Sequence, residues 1–164
     1  MKILQMIRCI CKANIVEVLN GNGWYYICCP NCARTVRPVE GKYSCTQCPR
    51  ADIQYTQRVV VRGEDDSGTT TFTLFNKEAE QIIGVPIQTL LSEEGEKQPM
   101  KDLPTAIKNL IGRQCAFQIK VTTYNMTHGC EEYTVTRVTD CSSPSTTPNN
   151  PMEEENRKKK QKCD

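Results

Sequence analysis

Four cysteines constrain this chain more than any other feature. Cys29-x2-Cys32 and Cys45-x2-Cys48 form two knuckles separated by 12 residues. Two thiolates two residues apart can meet one metal ion in a tight turn. Two such turns give tetrahedral sulfur coordination, which suits zinc. The spacer is long enough for a hairpin turning at Gly41-Lys42. The stretch from 29 to 48 is short of aliphatic residues and cannot build its own core, so one structural Zn2+ is expected in place of one. Four thiolates close the shell and leave no open position for a reactive water. Cys28 leaves an ambiguity, because Cys28-x3-Cys32 is a conceivable knuckle; matching x2 spacings favour Cys29.

Other uses of the cysteines compete less well. The 164 residues contain 11 cysteines, an odd number for a closed disulfide set. Residues 1–10 are apolar but broken by Gln5 and Arg8, with Lys12 close behind and no small-residue cleavage site. That is a poor signal peptide, and there is no apolar run of 18 residues, so a reduced, intracellular chain with no membrane partner is expected. A redox enzyme would need one CxxC near a βαβ unit; here there are two pairs and no such unit. The single histidine, His128, reads as a loop tip. No Ser/His/Asp set, phosphate loop or carboxylate pair stands out, so neither an enzyme nor a small-molecule substrate is expected.

The rest of the chain reads as strands. Ile10, Ala13, Ile15 and Val18, then Trp24 and Tyr26, fit two strands joined by the turn Asn20-Gly21-Asn22-Gly23, a hairpin pattern. Residues 54–62 and 69–75 are two more strands around a turn at 63–68. Asn76 can cap a helix with Ala79, Ile82 and Ile83 on one face and Gly84 as its stop. A short helix fits 86–91, and Pro104 suits the start of another, with Ile107, Leu110 and Ile111 on its apolar side. Residues 114–124 and 131–139 complete the strands. The expected fold is mostly β: a small Greek-key barrel with an inserted zinc ribbon and one or two short helices, an open sandwich being the alternative. Residues 1–141 would form this domain, with the ribbon at about 28–50. Residues 142–164, rich in Pro, Ser, Thr and Asn, would form a disordered tail.

Several motifs in order carry a family resemblance. Gly23-Trp24-Tyr25-Tyr26-Ile27-Cys28-Cys29-Pro30-x-Cys32, followed by Tyr43-x-Cys45-x2-Cys48, resembles the zinc ribbon in the C-terminal OB fold of the replication protein A large subunit. Thr71-Phe72-Thr73-Leu74-Phe75-Asn76-Lys77-Glu78-Ala79 is similar to that family's third strand and following helix. Phe117-x-Ile119-Lys120-Val121-Thr122-x-Tyr124-Asn125 and Tyr133-Thr134-Val135-Thr136-Arg137-Val138 are similar to its last two strands. The likeness is greatest to plant-type, stand-alone copies. It implies that the barrel is an OB fold and that it binds single-stranded DNA in replication, repair or recombination, with other replication protein A-like subunits as further partners. Carried over by position, Cys29, Cys32, Cys45 and Cys48 would be the zinc ligands, and Phe75 and Tyr124 the base-stacking aromatics.

The parity of the strand agrees with an outward Phe75: it lies three residues from Phe72, so the two point to opposite faces. Trp24, Tyr26, Phe72 and Phe117 are expected in the core. The net charge of +2 hides an asymmetry: residues 23–62 carry six positive and two negative side chains, and residues 63–101 three positive and eight negative. Arg34, Arg37, Lys42, Arg58 and Arg62 in the basic stretch are the candidate phosphate contacts. The run Arg157-Lys158-Lys159-Lys160-Gln161-Lys162 resembles a nuclear import signal, so a nuclear location is expected. The competing function is a protein-interaction subunit of a replication protein A-like complex with little nucleic-acid affinity, favoured by the acidic stretch.

Overall fold

The computed structural model describes residues 7–94 and 102–142. The expected disordered tail beyond residue 142, with its basic cluster, lies outside the described residues. In chain order the elements are β1 (Ile7–Leu19), β2 (Tyr25–Cys28), β3 (Pro38–Val39), β4 (Lys42–Tyr43), β5 (Gln54–Asp65) and β6 (Gly68–Phe75). Then come α1 (Asn76–Ile83), α2 (Ile87–Glu94), α3 (Thr105–Lys108), β7 (Gln114–Val121), α4 (Thr123–His128) and β8 (Glu132–Ser142).

Strands β1, β7, β8, β6 and β5 are hydrogen-bonded in that order, and a β1–β5 pairing closes them into a barrel. The β6–β8 pair is parallel and the other barrel pairs are antiparallel, which is a Greek-key path. Closure decides between the expected barrel and the open sandwich. It also removes the free strand edges that an open sheet would leave. Alternation along the strands fills the interior: Ile15, Val59, Val61, Phe72, Leu74 and Phe117 are almost fully buried. Phe72 and Phe117 meet at its centre, their rings 4.8 Å apart.

Helix α1 buries Ala79, Ile82 and Ile83 against β5, β6 and β8, as their shared face requires. Gly84 stops it in the left-handed conformation (φ 78°), donating its N–H to Glu80 O at 2.8 Å. Arg113 Nη1 satisfies the Ile82 carbonyl at the same end, at 2.6 Å. Asn76 is not the cap that the sequence promises. It lies inside the helix, Phe75 holds the cap position, and no side chain caps the end. Leu90, Ile107 and Leu110 extend the core, whereas Ile111 is exposed.

The expected β1–β2 hairpin does not form. Both strands pair with the same edge of β5, Leu19 opposite Val60 and Tyr25 opposite Gln57, so they run end to end in one direction. The Asn-Gly-Asn-Gly turn steps the chain out and back, closed by Gly23 N to Asn20 O at 3.4 Å. The turn chemistry is present; the partner strand differs, because β5 lies alongside both.

A second correction concerns Gly63, which reads in the sequence as the start of a turn. It lies inside β5, and the tight turn is Asp66-Ser67, where Asp65 accepts the Ser67 N–H at 2.8 Å. A Cβ on Gly63 would come within 2.6 Å of Phe72 Cε2 and 2.9 Å of Ala13 Cβ. The glycine is there to admit the Phe72 ring. Gly63→Ala is expected to destabilise the domain by about 1–3 kcal/mol, the usual effect of overpacking, measured by urea denaturation. An unchanged midpoint would refute this packing account.

Candidate metal centre and nucleic-acid interface

The ribbon is inserted between the first two barrel strands, β1 and β5. Its stem is β2 paired with the start of β5, Cys28 opposite Gln54. The first knuckle closes by Ala33 N to Cys29 O (2.8 Å) and Cys29 N to Arg34 O (3.0 Å), with Ala33 in the left-handed conformation (φ 58°). A turn directly after the second knuckle is closed by Ala51 N to Cys48 O at 3.0 Å. Between the knuckles β3 and β4 form a two-residue hairpin. It turns at Glu40-Gly41 (φ 51° and 75°), one residue earlier than expected.

These turns bring the four thiols together. The sulfurs of Cys29, Cys32, Cys45 and Cys48 all lie within 4.8 Å of one another, and those of Cys32 and Cys45 are 3.6 Å apart. A tetrahedral ion with metal–sulfur bonds of ~2.3 Å needs sulfurs ~3.8 Å apart, so the quartet fits a four-thiolate metal centre. Cys28 is excluded: its sulfur faces the Thr56 hydroxyl at 3.2 Å. The ribbon's small core is Ile27, Cys29, Val36 and Cys45, flanked by Cys32, Cys48, Ala51 and Ile53, and is separate from the barrel core. Half of those eight residues are the thiols themselves. The Cys32 N–H holds the Cys29 thiol down to about 7, while burial pushes the Cys48 thiol up to about 12. A cation entering the quartet must therefore displace protons.

The second constellation lies across the barrel wall. Arg58 and Phe75 are directly opposite each other on β5 and β6. They line two adjoining clefts. One runs toward the ribbon past Tyr26, Ala33 and Thr35. The other runs toward β7 and α4 past Thr73, Lys120, Tyr124 and Glu132. Because the clefts share Arg58 and Phe75, they form one track. Phe72 is buried in the core and Phe75 is only half-buried, as strand parity requires.

Tyr124 reaches the track differently from expectation. The sequence places it at the end of a strand, but β7 stops at Val121 and α4 carries it. Thr122 and Asn125 form a reciprocal capping box: the Thr122 hydroxyl accepts the Asn125 N–H (3.3 Å), and Asn125 Oδ1 accepts the Thr122 N–H (2.9 Å). Asn125 Nδ2 also donates to the carbonyls of Cys130 (2.9 Å) and Glu132 (3.0 Å), pinning the loop to β8. Tyr124 is left 60% exposed, with His128 stacked on one ring face at 4.4 Å. Tyr124 also lines the cleft, where its exposed ring surface can take a flat partner.

The basic candidates divide. Arg58 is in the track, 3.8 Å from Glu132 Oε1. Arg62 is on the same face of β5 but hydrogen-bonds Glu17 at 2.6 Å, outside both clefts. Arg34 lies between the track residues Ala33 and Thr35. Arg37 and Lys42 are exposed on the ribbon and line neither cleft. Sequence reasoning misses three track residues. Tyr26 reads as core from its alternation, yet it is half-buried and meets Phe75 edge-on, ring centroids 6.4 Å apart. Lys120 and Glu132 give no local signal; only the pairing of β7, β8 and β6 brings them to the cleft.

A closed Greek-key barrel with a four-thiol ribbon between its first two strands is an OB-type domain, and OB folds use the face of strands two and three with the first and fourth loops for oligonucleotides. Here those are β5, β6, the ribbon and the α4 loop. The model of the Replication factor-A C terminal domain family matches residues 9–147, and the chain belongs to that family. Two 70 kDa DNA-binding subunits of replication protein A from Arabidopsis thaliana are each 30% identical to it. One aligns over 103 residues, covering 60% of this chain and 17% of that protein. The other aligns over 104 residues, with 60% and 16% covered. The chain thus spans about a sixth of those relatives. Two solved structures share the fold. A replication protein A heterotrimer bound to ssDNA superposes with TM-score 0.63 at 23% identity, covering 93% of this chain and 35% of that one. Yeast RPA bound to ssDNA gives TM-score 0.57 at 17% identity, covering 93% and 84%.

Proposed function

We propose that this chain binds single-stranded DNA in the track between the ribbon and α4, as part of DNA replication, repair or recombination in the nucleus. The observation that carries the reading is the convergence of Phe75 and Tyr124 on one open cleft with Arg58 and Lys120. Binding single strands without much sequence preference needs aromatic faces for bases and cations for phosphates. The cleft offers both. Residues 1–141 act as one OB domain, the ribbon at about 28–50 is ordered by one Zn2+ on Cys29, Cys32, Cys45 and Cys48, and 142–164 is a tail. Arg34, Arg37, Lys42 and Arg62 supply more distant positive charge. The role is binding, not catalysis, because four thiolates saturate the metal. The relatives' description as DNA-binding subunits supports this reading.

Affinity is expected to be modest. If three or four phosphates are contacted, the log of affinity should fall against log salt with a slope of roughly −2 to −3, at ~0.7 per phosphate. Fluorescence anisotropy with a labelled dT oligomer at several salt concentrations, with duplex DNA and RNA as competitors, measures this. A flat salt response would remove the phosphate contacts from the account.

A second reading is a protein-interaction subunit of a replication protein A-like complex. The Arg62–Glu17 pair favours it, since that cation is already matched. Absence of oligomer binding by the zinc-loaded chain would select this reading.

A further inference from the structure

Glu132 is out of place in a cleft meant for a polyanion. It is the one carboxylate among the described residues lining the cleft that holds Phe75 and Tyr124. It is also held in position. The Thr73 hydroxyl donates to Oε1 at 2.9 Å, and Arg58 Nη2 lies 3.8 Å from the same oxygen. Thr73 is buried, so its hydroxyl is a fixed donor. Asn125 Nδ2 grips the Glu132 carbonyl at 3.0 Å and fixes the backbone as well. Both contacts fall on Oε1, and the Glu132 side chain is still 48% exposed. With Oε1 engaged and the side chain half exposed, the carboxylate keeps acceptor capacity for an incoming donor.

Building on the single-strand reading, we propose that Glu132 is a specificity-determining residue: it accepts a hydrogen bond from the exocyclic amino group of a base stacked on Phe75 or Tyr124. An ionised carboxylate can only accept hydrogen bonds. Cytosine offers an N4 amino group, a donor that Glu is suited to take. Thymine offers one ring N–H between two carbonyl oxygens, and those oxygens repel the carboxylate. The stacking faces stay indifferent to the base, while Glu132 adds a preference at one position of the strand. Cytosine against thymine is the clean comparison, because the two rings are equal in size.

The test is competition anisotropy on the full zinc-loaded chain with oligomers of dC, dT and N4,N4-dimethyl-dC, the last lacking both amino hydrogens. Native protein is expected to bind dC roughly three- to tenfold more tightly than dT, the range of an ordinary net hydrogen bond, because solvent at the half-exposed carboxylate offsets the extra strength of a charged acceptor. Dimethylation should erase that advantage. Glu132→Ala should bring the dC/dT ratio to about one. The same variant should strengthen binding to dT, because a negative charge leaves the cleft and Arg58 is released, whereas dC sets that gain against the lost hydrogen bond. Equal binding of dC and dT by the native protein, or a dC preference that survives dimethylation, overturns the proposal while leaving single-strand binding intact. Binding to none of the oligomers overturns the single-strand reading and this one with it. The modified oligomer keeps the test independent of how well the variant folds.

Discussion

Cys45→Ser is expected to abolish stoichiometric zinc and unfold the ribbon while the barrel stays folded. Metal analysis should fall from about one zinc per chain to a small fraction. Amide NMR signals of the ribbon should collapse toward random-coil positions while those of the barrel persist. The physical reason is the separation of the two cores. Ile15, Phe72, Leu74 and Phe117 hold the barrel without help from the ribbon. The ribbon's interior is half cysteine, so without an ion its buried groups are weakly apolar thiols with little else to pack on. Structural zinc supplies ~10–16 kcal/mol of apparent folding free energy in small zinc-binding peptides, far more than this cluster can replace. Cys28→Ser is the control. Its sulfur faces Thr56, so it should keep the metal. Full zinc content in the Cys45 variant would refute the four-thiolate assignment.

The paired substitution Phe75→Ala with Tyr124→Ala should come close to eliminating single-strand binding. Each stacked base is worth about 1–3 kcal/mol, so the double variant stands to lose about 2–6 kcal/mol, roughly thirtyfold to twenty-thousandfold in affinity. Both side chains are on the outside of the barrel, Tyr124 60% exposed and Phe75 half-buried, so the thermal transition should move little. Phe75→Ala alone should move it slightly, since the edge-on contact with Tyr26 is lost. Oligomer anisotropy beside a circular-dichroism melt separates the two effects. Native-like binding by the double variant would show that the bases stack elsewhere.

The sequence is most legible where a feature repeats at short range. Two CxxC knuckles announce a four-thiol cluster, alternating apolar residues announce strands, and Ala79, Ile82 and Ile83 announce a helix face. It is least legible where the deciding partner is distant. The Asn-Gly-Asn-Gly turn looks like a hairpin because nothing local reveals that β5 accepts both flanking strands. Gly63 looks like a turn residue because the Phe72 ring it admits is on another strand. Tyr124 sits among Val121, Thr122 and Thr123, a strand-like run, yet Thr122 and Asn125 carry a capping signature that marks the helix start. That signal is present in the sequence and is outweighed by β propensity. Tyr26, Lys120 and Glu132 carry no comparable mark. Their membership in the cleft is a property of register: one residue of slip in β2, β7 or β8 would turn each to the other side of the wall.

The ribbon leaves the barrel at Cys28 and returns at Gln54, and those two residues are paired neighbours on adjacent strands. The path out and the path back therefore end where a two-residue turn alone would suffice. An excursion rooted this way imposes no register on the strands beneath it, and its length costs only the slowly growing entropy of loop closure. The four-thiol unit is thus a separable excursion from the barrel, with a small core of its own. Its length can change while the barrel keeps its hydrogen-bonding, but Ala33 and Thr35 line one arm of the track, so any such change reshapes the cleft on the ribbon side and leaves the α4 side as it is.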